Sequence, residues 1–354
     1  MRKLTSLFVI LTLMITLLIG CAPKAPTAPT VPTTTSDKKQ EVVTWRIAHE
    51  EIDGSVQDLY SKRFKELIEK KSNGAVKVDV YPVGQIGDAT QQAELLQNGG
   101  LEFGIVSPGN TGTIVPENQL FSLHFLFSDN MDKNAELFKT SKALNETLSN
   151  LYLAKNIKVL SYWTEGSMEW TSNVEVNTPA KWKGLKMRTM PSPMIVAAYQ
   201  AYGSNPTPIP YMEVYSGLQL KMIEGQENPL FAIEEMKFYE VQKYLTLASS
   251  NLYMTTTSTN PKFFDSLSKD QQQMVLSTIE ELRPESFAIQ AKSNGAALDK
   301  IKAKSGIKIV ELTKEEREAF RVASKSAYDK YAEMVGPKGK EILLQLQAEA
   351  KALQ

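Results

Sequence analysis

Regular patterning of apolar and polar positions begins near residue 43. Residues 43–48 read as a strand. Val56, Leu59, Tyr60, Phe64, Leu67 and Ile68 follow at helical spacing, and Ser72, Asn73 and Gly74 stop that helix. Val76, Val78 and Val80 alternate with Lys77, Asp79 and Tyr81, the pattern of a half-buried strand. Asp88 is placed to cap a helix through Leu96 that closes at Gly99 and Gly100, and residues 101–106 form the next strand. This order of strands and helices predicts a largely parallel sheet with right-handed crossovers.

Further along, one helix is predicted through Leu137, Leu144, Leu148 and Leu151. Strands are predicted at 157–163, 169–176 and 185–190, helices at 193–202, 212–220 and 230–239, and one strand near 245–255. A long helical stretch opens at Ser268 and meets only Pro284 before Gly306. A strand at 307–311 and two C-terminal helices complete the chain. No repeat is visible. Two α/β lobes are implied, with ligand-binding loops outside the carboxyl ends of strands at 49–54, 107–113, 164–168 and 189–193.

The N-terminus follows other rules. Arg2 and Lys3 precede an uncharged, mostly apolar run from Leu4 to Ile19, short for a membrane span and suited to a signal peptide. It ends at Leu18-Ile19-Gly20-Cys21, which resembles a bacterial lipobox whose cysteine takes a diacylglycerol before cleavage. An uncleaved membrane anchor is the alternative; both place the body outside the cytoplasm. Residues 22–39 are dominated by Pro and Thr and read as an extended tether. The expected organisation is a signal peptide at 1–20, a lipidated Cys21 and tether at 21–42, and a binding body at 43–354.

Composition narrows the function. The 354 residues carry 40 Lys+Arg against 40 Asp+Glu, so no basic excess points to nucleic acid. One cysteine closes no intrachain disulfide and builds no Cys-rich zinc site, and two histidines leave little for metal or triad chemistry. A mean hydropathy of −0.26 excludes a multi-span membrane protein. The phosphate-loop, dinucleotide, nucleophile-elbow and zinc-protease motifs are all absent. A binding protein is therefore expected, with no catalytic residues, no cofactor and no metal. A surface hydrolase with distant carboxylates remains the rival of another class.

Three segments carry a more specific signal. Gly184-Leu185-Lys186-Met187-Arg188 puts an arginine near the carboxyl end of a strand, and its planar fork of donors fits a carboxylate. Taken alone, Arg188 also fits a solvated strand residue. Pro206-Thr207-Pro208 with Glu213-Val214-Tyr215, and Gly217-Leu218-Gln219 with Gly225-Gln226-Glu227-Asn228-Pro229, follow in order. Together these resemble the solute-binding proteins of TRAP transporters (tripartite ATP-independent periplasmic transporters), dicarboxylate-binding type, over nearly all of the chain from Trp45. Lys221 and Glu224 depart from the usual Gly and Asp of the last motif.

The resemblance implies an α/β, two-lobe periplasmic-binding-protein fold with discontinuous lobes and a long helix across the back. One lobe is expected from 43–165 and 254–293, the other from 166–253 and 294–354. It implies that Arg188 binds a ligand carboxylate and Asn228 hydrogen-bonds beside it. The implied partners are a small organic carboxylate and TRAP membrane permease subunits, with the membrane reached through the lipid on Cys21. A monomer is expected.

Residues 45–51, 107–112 and Arg188-Thr189-Met190 are most similar to the ectoine-binding members, in which the acid matching Glu51 faces a cationic amidine. Asn110 and Ala232 replace aromatics of their cage, whereas Tyr211, Phe231 and Tyr253 keep aromatic character. Met168 stands where many organic-acid binders carry a second arginine. His49 reads as a structural, hydrogen-bonded histidine. The expected ligand is a zwitterion, such as an ectoine-like compound, or a hydroxylated monocarboxylate; C4-dicarboxylates and sugar acids are the alternatives.

Overall fold

The computed structural model describes residues 42–304 and 306–353. The expected signal peptide, lipobox cysteine Cys21 and tether residues up to 41 lie outside the described residues. The strands, in chain order, are β1 (Val43–His49), β2 (Val76–Tyr81), β3 (Phe103–Val106), β4 (Lys158–Ser167), β5 (Glu169–Ser172), β6 (Lys186–Thr189), β7 (Asn205–Pro208), β8 (Gly225–Asn228), β9 (Tyr244–Leu247), β10 (Leu252–Thr259) and β11 (Lys308–Glu311). They form two sheets, one ordered β2-β1-β3-β10-β4 and the other β11-β9-β5-β8-β6-β7. Each sheet is parallel except for a single strand, β10 in the first and β5 in the second.

Local chemistry explains the first sheet. Ser55 caps the helix Val56–Lys71, which buries Val56, Tyr60, Phe64, Leu67 and Ile68. In the helix Ala89–Asn98, Asp88 and Gln91 form a reciprocal capping box, and Gly99 ends it in the left-handed conformation at φ 78°. Val76 and Val78 point inward while Lys77 and Asp79 face solvent, as the alternation predicts.

Beyond β3 the chain departs from the periodic pattern at several points. The helix predicted through 137–151 breaks at Ser141, which has extended backbone and whose hydroxyl accepts from Leu144 N and donates to Glu349. The strand predicted near 245–255 is two strands, β9 and β10, in different sheets. Between them, Ser249 takes φ 41°, held by Glu169, which accepts from its N–H and hydroxyl. Strands β7 and β8 were not predicted. The first is proline-rich and sits at an edge, where missing donors are tolerated; the second is Gly-Gln-Glu-Asn, buried yet polar, and shows no apolar alternation.

Two strand-to-strand crossings link the sheets, and the long helix that leads from β10 to β11 makes a further connection. β4 pairs with β10 in the first sheet, and β5 pairs with β9 in the second, both antiparallel. At the junction Met168 N–H donates to Asn251 O at 2.8 Å, and Ser250 N–H donates to Met168 O at 3.3 Å. A two-stranded ribbon thus runs from one sheet into the other. The 36-residue helix Lys269–Lys304 spans about 54 Å behind both. It ion-pairs through Glu281 and Glu285 to the helix Val56–Lys71, and through Lys300 to Glu234 beyond β8. The last helix, Lys325–Ala352, was expected with the second lobe. It buries Tyr331, Ile342, Leu343 and Leu346 in the same core as Leu120, Leu137 and Leu148, on the first-sheet side.

Gly225 shows why the polar strand β8 needs a glycine. A Cβ there would stand 2.9 Å from the Thr171 carbonyl oxygen and 3.4 Å from Met187 Sδ. Since a backbone atom cannot swing aside, Gly225→Ala is expected to cost about 1–3 kcal/mol, lowering the melting temperature by several degrees. Gly306→Ala, with nothing within 4 Å of the new methyl, is the control. Matching thermal unfolding curves for the two variants would contradict this account of the strand.

Candidate functional site

A cavity of about 370 Å³ opens between the sheets, at the carboxyl ends of their parallel strands. From the first sheet, Glu50 and Glu51 follow β1, Asn110 lies on the short helix after β3, and Tyr253 lies on β10. From the second come Arg188 on β6, Met190 and Pro191 beyond it, the segment from Pro208 to Tyr211 after β7, and Asn228 at the end of β8.

Arg188 is 3% exposed. Its Nε donates to Ile209 O at 3.0 Å, and no carboxylate pairs with it among the described residues. Burial pulls its pKa below the usual arginine range, with Tyr253, Glu227 and Tyr211 opposing. A guanidinium stays charged even so, so the fold holds a cation out of water with one backbone acceptor and a cavity in front of it. That arrangement calls for an anion from outside the chain. Asn228 is buried beside it in the lining, its amide donating to Gln226.

The facing wall is acidic. Glu50 accepts from Ser107 N–H at 3.0 Å. Burial pushes its pKa up to about 7 against the pull of hydrogen bonds from Ser107 and Asn110 and with repulsion from Glu51. Glu51 accepts from Gln57 N–H at 3.2 Å; burial, then Glu165, raises its pKa well above the usual carboxylate range. Glu165, on β4 behind Glu51, is pushed up to about 7, chiefly by burial. Among the described residues, no ion pair involves any of these three acids. Tyr211 and Tyr253 supply the aromatic walls, and the Tyr211 hydroxyl is buried with no protein partner.

Six of the sequence candidates therefore share one lining: Arg188, Asn228, Glu51, Asn110, Tyr211 and Tyr253. Two stand apart from it. Phe231 is 2% exposed and packs, with Ala232, in the core that holds Tyr60, Phe64 and Trp163. Met168 sits at the ribbon junction and lines a separate small chamber of about 30 Å³ with His124 and Glu227. Met190 and Tyr253 border both spaces. His49 is fully buried outside the lining, with Nε2 3.4 Å from Asp58. Although burial alone would raise the Asp58 pKa, His49, Lys62 and Gly54 N–H hold it down at about 2.

Glu50 and Glu165 escaped the sequence reading. Glu50 carried a signal, since it lies in the loop expected at 49–54 after the first strand. Glu165 carried the same one, lying in the loop expected at 164–168, but its neighbour Glu51 is brought to it only by the fold. Among the described residues, no group of three or more His, Cys, Asp or Glu side chains is placed to hold a metal ion, and no helix is long and apolar enough to cross a membrane.

Comparison with known proteins agrees with this geometry. The pattern of bacterial extracellular solute-binding protein, family 7, matches residues 47–334. The ectoine-binding periplasmic protein TeaA of Halomonas elongata is 37% identical over 311 residues, covering 88% of this chain and 91% of that protein. The ectoine/5-hydroxyectoine-binding periplasmic protein UehA of Ruegeria pomeroyi is 36% identical over 310 residues, covering 87% and 91%. The solved structure of the ectoine-binding protein from the TeaABC TRAP transporter of Halomonas elongata superposes with a TM-score of 0.84 at 36% identity, over 87% of this chain and 99% of that one. Two α/β lobes, a cavity between them bearing an unpaired buried arginine, and these matches make the chain a member of the family 7 extracellular solute-binding proteins, the solute receptors of TRAP transporters.

Proposed function

We propose that this receptor captures a small zwitterion with one carboxylate and one delocalised cation, of the ectoine type, and hands it to its membrane permease while tethered through a lipid on Cys21. The observation that carries the reading is the pairing of opposite charges across one cavity. Arg188, buried without a counter-ion, faces the cleft from the second sheet, and Glu50 and Glu51 face it from the first. A carboxylate bridges to the guanidinium and Asn228, and a cationic group lies towards Glu51 between Tyr211 and Tyr253. A second carboxylate would meet the acidic wall with no cation of its own, so dianions are disfavoured. Because the two charges of the ligand are bound by different sheets, binding favours the closed cleft. Hydroxylated monocarboxylates are the second reading, supported by the hydrogen-bonding capacity of Asn110 on the lining.

Arg188→Ala strands the ligand carboxylate in a dry site. A loss of about 3–5 kcal/mol is expected for a broken buried pair, so binding measured by calorimetry should weaken by roughly a hundredfold or more. Arg188→Lys should fail substantially as well, because a point charge cannot reproduce the two parallel bonds. Near-native affinity in a folded Arg188→Lys protein would contradict bidentate recognition.

Calorimetric titration of ectoine, gluconate, malate and succinate into the delipidated protein tests the charge assignment. Ectoine or gluconate is expected to bind tightest, and Glu51→Gln should weaken ectoine while sparing gluconate. Tightest binding by succinate or malate would sink the assignment. For the anchor, Cys21→Ala should move the protein from the membrane fraction to the soluble fraction; unchanged partitioning would remove the lipid from this account.

A further inference from the structure

We propose that Glu165, behind the cavity wall, is a positioning residue that sets the charge selectivity of the site through Glu51: when no ligand is bound the two carboxyls share one proton, and the cationic group of a ligand takes that proton's place. The proposal rests on the reading of the cavity as a zwitterion site.

The geometry brings two buried carboxyls to one glutamine. Glu165 is fully buried. Its Oε1 accepts from Gln57 Nε2 at 2.7 Å and from Thr255 Oγ1 at 2.6 Å, whereas its Oε2 is buried with no protein partner. Gln57 holds the second carboxyl too, its N–H donating to Glu51 Oε2 at 3.2 Å. One glutamine at the start of a helix thus grips both acids, one through its backbone N–H and the other through its side-chain amide, which makes the two carboxyls neighbours that interact directly. A carboxylate has no hydrogen to donate, so a hydrogen bond between two of them requires that one carry a proton. Without a proton, two like charges would sit side by side away from water, which raises the pKa of one member of such a pair.

The surrounding groups do not supply a cation. Glu50 from the same loop and Glu235 beyond β8 are further acids that burial pushes towards their protonated forms, so neither offers a positive charge, and the Glu235 Oε2 is itself buried without a partner. Tyr211 and Tyr253 face the pair as neutral phenols. Arg188 belongs to the opposite wall and makes no ion pair with either acid, Lys300 pairs with Glu234, Lys62 is held by Asp53 and Asp58, and His49 lies against Asp58.

The consequence is a selectivity that depends on pH. An amidine or ammonium beside Glu51 stabilises both carboxylates as anions, so the shared proton leaves to solvent as the ligand enters. Affinity for a cationic ligand then rises with pH and falls as pH drops through the titration of the pair. A neutral hydroxyl needs no such exchange, so a hydroxylated monoanion binds with little dependence on pH.

Two measurements on the delipidated protein test this. In the ligand-free state, the infrared difference spectrum between wild type and Glu165→Gln near neutral pH should show one protonated-carboxyl stretching band lost in the variant. Absence of that band overturns the shared proton, whatever the ligand. Ectoine is then titrated calorimetrically at about pH 6 in buffers of different ionisation enthalpy, where close to one proton (~1) should be released per ligand bound. Wild-type affinity should fall by up to about tenfold per pH unit below the titration of the pair. Glu165→Gln keeps an acceptor for Gln57 and Thr255, so a merely structural role would leave the proton count unchanged; on our proposal the release is lost. Tight ectoine binding without proton release, or release that persists in Glu165→Gln, overturns the coupling. Should the variant fail to fold, Glu50→Gln takes its place: release that persists there assigns the proton to the pair, and release that is lost assigns it to Glu50 and overturns the coupling. A band present with no ectoine binding keeps the shared proton and rejects the zwitterion reading instead, so the two failures are distinct.

Discussion

The structure depends on one two-stranded ribbon. β4 and β10 pair in the first sheet, β5 and β9 pair in the second, and the backbone hydrogen bonds of Met168 with Ser250 and Asn251 carry the pairing across the gap. In each sheet one strand of this ribbon is the single antiparallel member, lodged between parallel neighbours. The residues that face the cavity are therefore referred to this junction, with the long helix tied to both sides behind it. Glu51 and Arg188 share no hydrogen bond or ion pair, yet their separation is governed by how the ribbon bends. Glu169, accepting from Ser249 at its left-handed turn, fixes that bend on one side, and Arg317, donating to Ser249 O at 3.0 Å, fixes it on the other.

Charge is distributed over the two walls by the same architecture. Strand ends in the first sheet deliver carboxyls, and strand ends in the second deliver one guanidinium with amides. Neither wall neutralises itself, and each is costly to keep dry. Arg188 is tolerated with a single backbone acceptor, and the acids are tolerated because burial shifts them towards their protonated forms. A ligand bearing both signs relieves both walls at once. A ligand bearing one sign relieves one wall and leaves the other as it was.

Much of this was legible in the sequence, and what was missed has common causes. The helix from Val56, the helix start at Asp88 and the alternation of β2 were readable because they are local. So was Arg188, through its place in ordered motifs. The breaks at Ser141 and between β9 and β10 were hidden, since the partners that impose them, Glu349 and Glu169, lie far away in the chain. β10 itself is rich in threonine, and its burial is possible only because Thr255, Thr256, Thr257 and Thr259 find acceptors on other elements. Phe231 matched a cage position in the resemblance but packs in an apolar core, where an aromatic ring needs no ligand to be buried. Glu165 is invisible to periodicity because its neighbour Glu51 is brought to it only by the fold.

The position of β10 also dictates when the molecule can become whole. This strand lies between β3 and β4, yet it is encoded after both, beyond nearly every element of the other sheet. As the chain emerges from its amino end, β3 and β4 wait with open edges until residues 252–259 arrive to join them. The first lobe is thus begun early and finished late, and no amino-terminal fragment that stops short of β10 contains a closed sheet. Contacts of such long range form slowly, which leaves the newly made chain pliant for an extended interval before it locks.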